Sequence, residues 1–233
     1  MAKKPKMNGQ THAVNLITMT NPASPISEQY RTIRTNIQFA TAGNQKIKVL
    51  VVTSPGPSEG KSTSAANLAA VFAQAGQRVL LVDADMRKAT VHKTFGLANA
   101  SGLSNVLSTS ATGENVIQRT TVPNLFVLTS GPKPPNPSEL LGSPRMLQVI
   151  EELKSAYDLV IFDMPPIVAV TDAQIMASKA DGTILILREN ISRKDEALKA
   201  KELLQMVHAN ILGVIYNGVS TDKDQGYYYY YGN

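Results

Sequence analysis

Val49-Leu-Val-Val-Thr-Ser-Pro-Gly-Pro-Ser-Glu-Gly-Lys-Ser-Thr63 decides how this chain folds. The apolar run 49–52 leads into a loop of Pro, Gly and Ser. The loop leads into a helical stretch, 62–75, which Gly76 closes as a C-cap. That order places backbone N–H groups at a helix N-terminus, where the helix dipole favours anions. Gly60, Lys61 and Ser62 supply what bound phosphates need: close backbone approach, a cation for the outer phosphates and a hydroxyl for a magnesium ion. The full G-x-x-x-x-G-K-[ST] spacing is not met, because Pro55 stands at its first glycine and Gly56 comes one place late. An ordinary β–α loop shares the same order, so the rest of the chain decides between the two.

The alternation continues outward. Residues 79–82, 125–128, 159–162, 184–187 and 211–216 are strand-like runs, and 138–156 and 193–208 are helical stretches. Runs that are apolar throughout mark strands buried on both faces. Helices between them imply right-handed crossovers and a mostly parallel sheet. Upstream, Ile33, Ile37 and Ala40 keep helical spacing, with Ser27 as a candidate N-cap. Residues 1–25 have no period and contain three prolines, which reads as a flexible arm. We therefore expect one α/β domain, 26–219, between that arm and a C-terminal tail, 220–233.

In such a sheet, ligands sit at the carboxyl ends of the strands. Two further strand ends carry acids there: Val79-Leu-Leu-Val-Asp83-Ala-Asp85-Met-Arg87 and Leu159-Val-Ile-Phe-Asp163-Met-Pro-Pro166. A single Asp after a strand is usually a turn former or helix cap. Two such strands beside a Gly-Lys-Ser loop make a magnesium–nucleotide site. Asp83 and Asp85 would project the same way if extended, and Arg87 could partner a carboxylate or a phosphate. The set holds one carboxylate more than a plain ATPase needs, and the extra one is available as a base.

Composition narrows the classes. The 233 residues are 43% hydrophobic and 18% charged, so the chain can bury a core, and disordered or fibrous classes are excluded. The absence of cysteine removes disulfides and thiolate chemistry, in keeping with a reducing cytoplasm. No signal peptide or membrane-spanning run is evident. Of the formal charge of +5, Lys3, Lys4 and Lys6 supply three, leaving +2 from residue 7 onward. That is no nucleic-acid footprint. The basic start is either a solvated tail or a contact for an anionic membrane leaflet.

Read together, these motifs resemble the bacterial tyrosine kinases (BY-kinases) of capsule and exopolysaccharide synthesis, in the form where the kinase is separate from its membrane activator. The resemblance covers about residues 15–233. Besides the loop and the two aspartate motifs it rests on Glu28-Gln-Tyr-Arg31-Thr-Ile-Arg34, on Ser130-Gly-Pro-Lys-Pro-Pro-Asn-Pro-Ser-Glu-Leu-Leu141 and on the tyrosine-rich C-terminus. Ser58 replaces the family's usual Gly, and Ala89 its common Pro. The resemblance implies a P-loop NTPase fold and ATP-dependent phosphorylation of tyrosine, mainly on the chain's own tail. Gly56, Pro57, Ser58, Glu59, Gly60, Lys61, Ser62 and Thr63 would hold ATP. Lys61 would bind the β- and γ-phosphates, and Ser62 and Asp163 would hold Mg²⁺ with Asp85 in its shell. Asp83 would take the proton of the attacking phenol, since only about one tyrosine in a thousand is ionised at pH 7. Asn217 would touch the adenine or serve as a turn residue.

The tail carries Tyr227, Tyr228, Tyr229, Tyr230 and Tyr231 between two glycines. They read as phosphate acceptors or, failing that, as a sticky terminus. Glu28, Arg31 and Arg34 share one helical face, either a solvated ion-paired surface or, as the resemblance implies, the contact that builds a ring. A ring would allow phosphorylation in trans. The resemblance further implies a membrane activator with a cytoplasmic segment, recruitment to the inner face of the membrane, and a phosphotyrosine phosphatase. Two rivals remain: a partitioning or division-site ATPase, which would carry a lysine where Gly56 stands, and a nucleotide-dependent scaffold without transfer activity.

Overall fold

A computed structural model describes residues 14–40, 46–109 and 115–219. Its centre is a sheet of β1 (Val49–Thr53), β2 (Val79–Asp83), β3 (Gln118–Arg119), β4 (Leu125–Leu128), β5 (Leu159–Asp163), β6 (Gly182–Arg188) and β7 (Ile211–Asn217). The order is β3-β4-β2-β5-β1-β6-β7, and every pairing is parallel except the short antiparallel β3–β4 edge. The expected mostly parallel α/β sheet is therefore present, and its central strands are buried on both faces. Val49 and Val51 of β1 enter one core, while Leu50 and Val52 enter the other. That division explains why the run is apolar at every position rather than at alternate ones.

One face is covered by α3 (Lys61–Gln74), whose residues from Ser64 to Ala73 are all buried, and by α2 (Pro25–Ala40) lying on α3. Val91 of the short α4 (Val91–Phe95) joins the same core. The other face carries α5 (Leu103–Ser108), α6 (Pro137–Gly142), α7 (Pro144–Ala156), α8 (Asp172–Ala177) and α9 (Lys194–Met206). Gly76 has φ +87° just past the end of α3, the left-handed closure expected of it.

Three expectations change. The stretch 138–156 is two helices, broken where Ser143 turns extended ahead of Pro144 and caps α7 by accepting from Met146 N–H; a proline cannot sit inside a helix without losing a backbone bond. Ser27 is not the N-cap of α2. Ser24 is, with its hydroxyl accepting from Ser27 N–H ahead of Pro25, a first-turn proline. The third concerns the N-terminal arm. Its described part, 14–25, is packed: α1 (Ile17–Thr20) lies against α2 and α3, and Thr18 is fully buried with its N–H and hydroxyl both donating to Asn67 Oδ1. Ser27 reaches back to the carbonyls of Ile17 and Asn21.

The strand ends that face the loop are stitched together beyond the sheet ladder. Ala84 N–H donates to Asp163 O at 3.0 Å, Met164 N–H to Val52 O at 3.0 Å and Ile167 N–H to Ser54 O at 2.9 Å. The Thr53 hydroxyl adds a bond of 2.8 Å to Pro165 O.

Candidate active site

β1 delivers the chain to the phosphate loop, and the loop is braced from within. Glu59 is buried, accepts Gly56 N–H at 2.8 Å with one carboxylate oxygen and bonds the Ser192 hydroxyl with the other. Asn217, at the end of β7, donates its amide to Glu59 O and Ser64 Oγ, both at 3.1 Å. Its nitrogen is thus engaged with the loop, and contact with a base would fall to its Oδ1. Gly60 has φ +94°, and a Cβ there would come within 2.7 Å of Asn217 Nδ2, so only glycine fits.

Ser58 sits at φ +65°. The residue that departs from the family's usual glycine therefore occupies a left-handed backbone position, where a Cβ costs about 1–2 kcal/mol. Ser58→Gly should stabilise the protein by about 0.5–1 kcal/mol, the relief of strain being partly offset by glycine's greater freedom when unfolded. Urea unfolding should show a higher midpoint at unchanged slope.

Lys61, Asp85 and Asp163 converge at the mouth of this loop. Lys61 Nζ lies 3.0 Å from Asp85 Oδ2, 3.8 Å from Asp163 Oδ1 and 3.2 Å from Ser62 Oγ. Burial alone would lower the Lys61 pKa, but the charges of Asp163 and Asp85 outweigh it, and the pKa is raised. Asp163 is fully buried, and among the described residues neither of its oxygens has a partner in good hydrogen-bond geometry, although the Ser62 hydroxyl is close enough to act on it. Desolvation pushes its pKa up, against the opposing pull of Lys61 and the Ser62 hydroxyl.

Asp83 is held differently. Its Oδ2 accepts the backbone N–H groups of Thr90 and Val91, both at 3.0 Å, while its Oδ1 is buried with no partner among the described residues. Desolvation and the nearby Asp163 charge raise its pKa to about 7, although the Val91 N–H works against them.

A cleft of about 440 Å³ opens at Lys61, Ser62 and Asp85, walled by the phosphate loop on one side and by the segment after β2 on the other. Orphaned carboxylate oxygens beside a hydroxyl form a hard-oxygen donor set that suits Mg²⁺, an ion that takes one or two carboxylates and fills its shell with phosphates and water. Among the described residues no all-protein cage of three or more His, Cys, Asp or Glu exists, and a nucleotide-linked magnesium does not need one.

Several contributors were not legible in the sequence. Arg188 lines the cleft and donates to Ser58 O at 3.2 Å. Arg87, which the sequence left between a carboxylate and a phosphate, pairs with the buried Asp172: Nε to Oδ2 at 2.9 Å and Nη2 to Oδ1 at 3.0 Å. Ser138 bonds both partners, which gives the 130–141 motif a contact with the site. These residues lie 34 to 85 positions apart, so no local pattern could join them.

On α2, Arg31 pairs with Glu28 and also donates to Pro22 O, whereas Arg34 donates to Val71 O on α3. The trio is tied into its own subunit at least in part. The five tail tyrosines lie outside the described residues.

A family model described as an AAA domain matches residues 47–209. The tyrosine-protein kinase YwqD of Bacillus subtilis is 51% identical over 97% of this chain and 94% of its own length. The kinase domain of the Escherichia coli tyrosine kinase ETK superposes with a TM-score of 0.85 at 35% identity, covering 99% of this chain and 89% of that one. The cell-division ATPase MinD of Pyrococcus furiosus shares the fold less closely, with a TM-score of 0.61 at 27% identity over 72% of this chain and 71% of its own. The near full-length match to a tyrosine-protein kinase and the close superposition on a kinase domain agree: the chain belongs to the bacterial tyrosine-protein kinases of capsule and exopolysaccharide synthesis.

Proposed function

We propose that this kinase transfers the γ-phosphoryl group of Mg-ATP to tyrosines 227–231 of a neighbouring copy, and so regulates the synthesis and export of a surface polysaccharide. The observation that carries the reading is Asp83: a buried carboxylate with one free oxygen, poised near pH 7 and next to a phosphate-binding lysine without bonding it. A carboxylate in that condition suits the removal of a phenol proton.

The phosphate loop, its helix dipole and Lys61 would hold the nucleotide phosphates and counter the charge that spreads over the transferring group. Ser62, Asp163 and Asp85 would hold the magnesium ion, whose chemistry when bound is to neutralise and orient those phosphates. Asp83 takes the phenolic proton onto Oδ1, while the Thr90 and Val91 N–H groups fix the carboxylate through Oδ2. The walls of the cleft limit the water that can compete with the phenol. Purified protein incubated with Mg-ATP should acquire phosphotyrosine within 227–231. ATP hydrolysis with no phosphotyrosine would leave the scaffold reading in its place.

The same reading sets an expectation for assembly. Unmodified protein should form a ring through α2, with Glu28, Arg31 and Arg34 on the contact. Each phosphotyrosine adds roughly −1.5 to −2 charges, so five would add about −7.5 to −10, more than the chain's net +5. A docked tail would then be repelled by Asp83 and Asp85. Light scattering at matched ionic strength should show the phosphorylated form as a monomer and a variant with tyrosines 227–231 changed to Phe as an oligomer. Equal masses would dismiss tail control of assembly. A membrane activator with a cytoplasmic segment would recruit the chain to the inner membrane face; no helix among the described residues is long and apolar enough to cross a bilayer. A phosphotyrosine phosphatase would reset the cycle.

A further inference from the structure

The guanidinium of Arg87 is fixed along one edge and open along the other. Nε and Nη2 are taken by Asp172, which is fully buried at the start of α8, and Nη2 also donates to Ser138 Oγ at 2.9 Å. Among the described residues, Nη1 has no hydrogen-bond partner. The side chain is 36% exposed and lines the cleft, and Lys88 beside it lines the same wall. A carboxylate that fixes the plane of an arginine pre-organises its remaining N–H groups for an anion, since little rotamer freedom is left to lose.

The sheet order says which anion this is. The phosphate loop follows β1, with β6 and β7 on one side of that strand and β5 and β2 on the other. Arg188 and Asn217, at the ends of β6 and β7, brace the loop from that side, while Arg87 and Lys88 stand on the facing wall of the same cleft. Resting on the kinase reading above, the phenol must reach Asp83 at the end of β2. The peptide carrying it therefore crosses the segment after β2, where Arg87 and Lys88 stand.

We propose that Arg87, with Lys88, is an anion subsite for the acceptor peptide, taking the carboxylate or phosphate of a residue that flanks the tyrosine being modified. The chain's own tail offers both sources: Asp222 and Asp224 precede the tyrosine run, and each tyrosine already modified places a phosphate beside the next. The subsite thus selects acidic acceptor segments and carries modification along the run.

Three synthetic peptides spanning 220–233 test this, each with Tyr227 as sole acceptor and Phe at 228–231, save position 229 of the third. The first keeps both acids, the second carries Asp222→Asn and Asp224→Asn, and the third adds a phosphotyrosine at position 229 to the second. With the full chain and Mg-ATP, kcat/KM for the first or the third should exceed that for the second roughly ten-fold, the scale of one charge-assisted hydrogen bond. Which of the two is preferred identifies the source. Arg87→Lys and Lys88→Gln should bring that ratio towards one while leaving KM for ATP unchanged. Arg87→Lys can lose the fold by unpairing a buried aspartate. Lys88→Gln, on an exposed side chain, then decides alone. Equal rates on all three peptides with wild-type protein overturn the subsite, as do variants that slow all peptides by one factor or raise KM for ATP. If no peptide and no tail tyrosine is modified by wild-type protein, the kinase reading itself fails and the subsite with it.

Discussion

Lys61→Met lowers tyrosine phosphorylation by roughly 100-fold or more, because phosphoryl transfer depends almost wholly on positioning and on charge aimed at the transferring group. The structure adds a second effect that the sequence does not suggest. Lys61 is the cation seated among Asp83, Asp85 and Asp163, with Nζ at 3.0 Å from one of them and 3.8 Å from another. Breaking a buried charge cluster from one side costs about 3–5 kcal/mol, so the nucleotide-free variant should unfold more easily. The loss should depend on pH. Without Lys61, Asp83 and Asp163 hold their protons to a higher pH, and stability falls as pH rises through the range where the folded state keeps protons that the unfolded state has released. Thermal unfolding at pH 5 and pH 8 should therefore show the larger deficit at pH 8. Near-normal autophosphorylation would remove Lys61 from the active site.

Asp83→Asn separates base from metal ligand. Losing a general base costs about 10²–10⁴ in rate, while Mg-nucleotide affinity should stay close to that of the wild type. Asp163→Asn should weaken Mg-dependent nucleotide binding itself. Equally poor binding by both variants would refute that division of roles. The folded Asp83 pKa, about 7 against an ordinary 3.8, adds an independent signature. Between those values the folded protein holds a proton that the unfolded chain has released, so rising pH costs wild-type stability in that window and no further above it. Asn does not titrate. The nucleotide-free Asp83→Asn protein should match wild type near pH 4 and exceed it above pH 7 by up to about 4 kcal/mol, at about 1.36 kcal/mol per unit. The wild-type rate should rise as pH passes 7, and the variant's residual rate should not.

The strands and the phosphate loop were legible because each is written locally. A continuous apolar run means burial on both faces, and an aspartate or Gly-Lys-Ser at its carboxyl end falls where an α/β sheet keeps its ligands. What the sequence hid was held by polar side chains that meet only in three dimensions. Thr18 and Asn67 lie 49 positions apart, and their bond turns an apparently featureless arm into a packed segment. Arg87 finds Asp172 across 85 positions. The break between α6 and α7 was written in Gly142-Ser143-Pro144, but the helical spacing on either side masked it. Ser58 departs visibly from the family pattern, but only its backbone angle shows what the departure means.

The bonds that stitch the strand ends together also confine where movement can occur. With Ala84, Met164 and Ile167 each tied to the neighbouring strand end, the carboxylates at the ends of β2 and β5 travel with β1 as one rigid body. A partner pressing on α2 or on the rim meets that body as a unit. It cannot spread Asp83 from Asp163 without tearing the sheet. On the proposed roles, the spacing needed for proton removal and metal binding is therefore insulated from any assembly through α2, and control of such an enzyme would fall on access to the cleft rather than on the chemistry inside it.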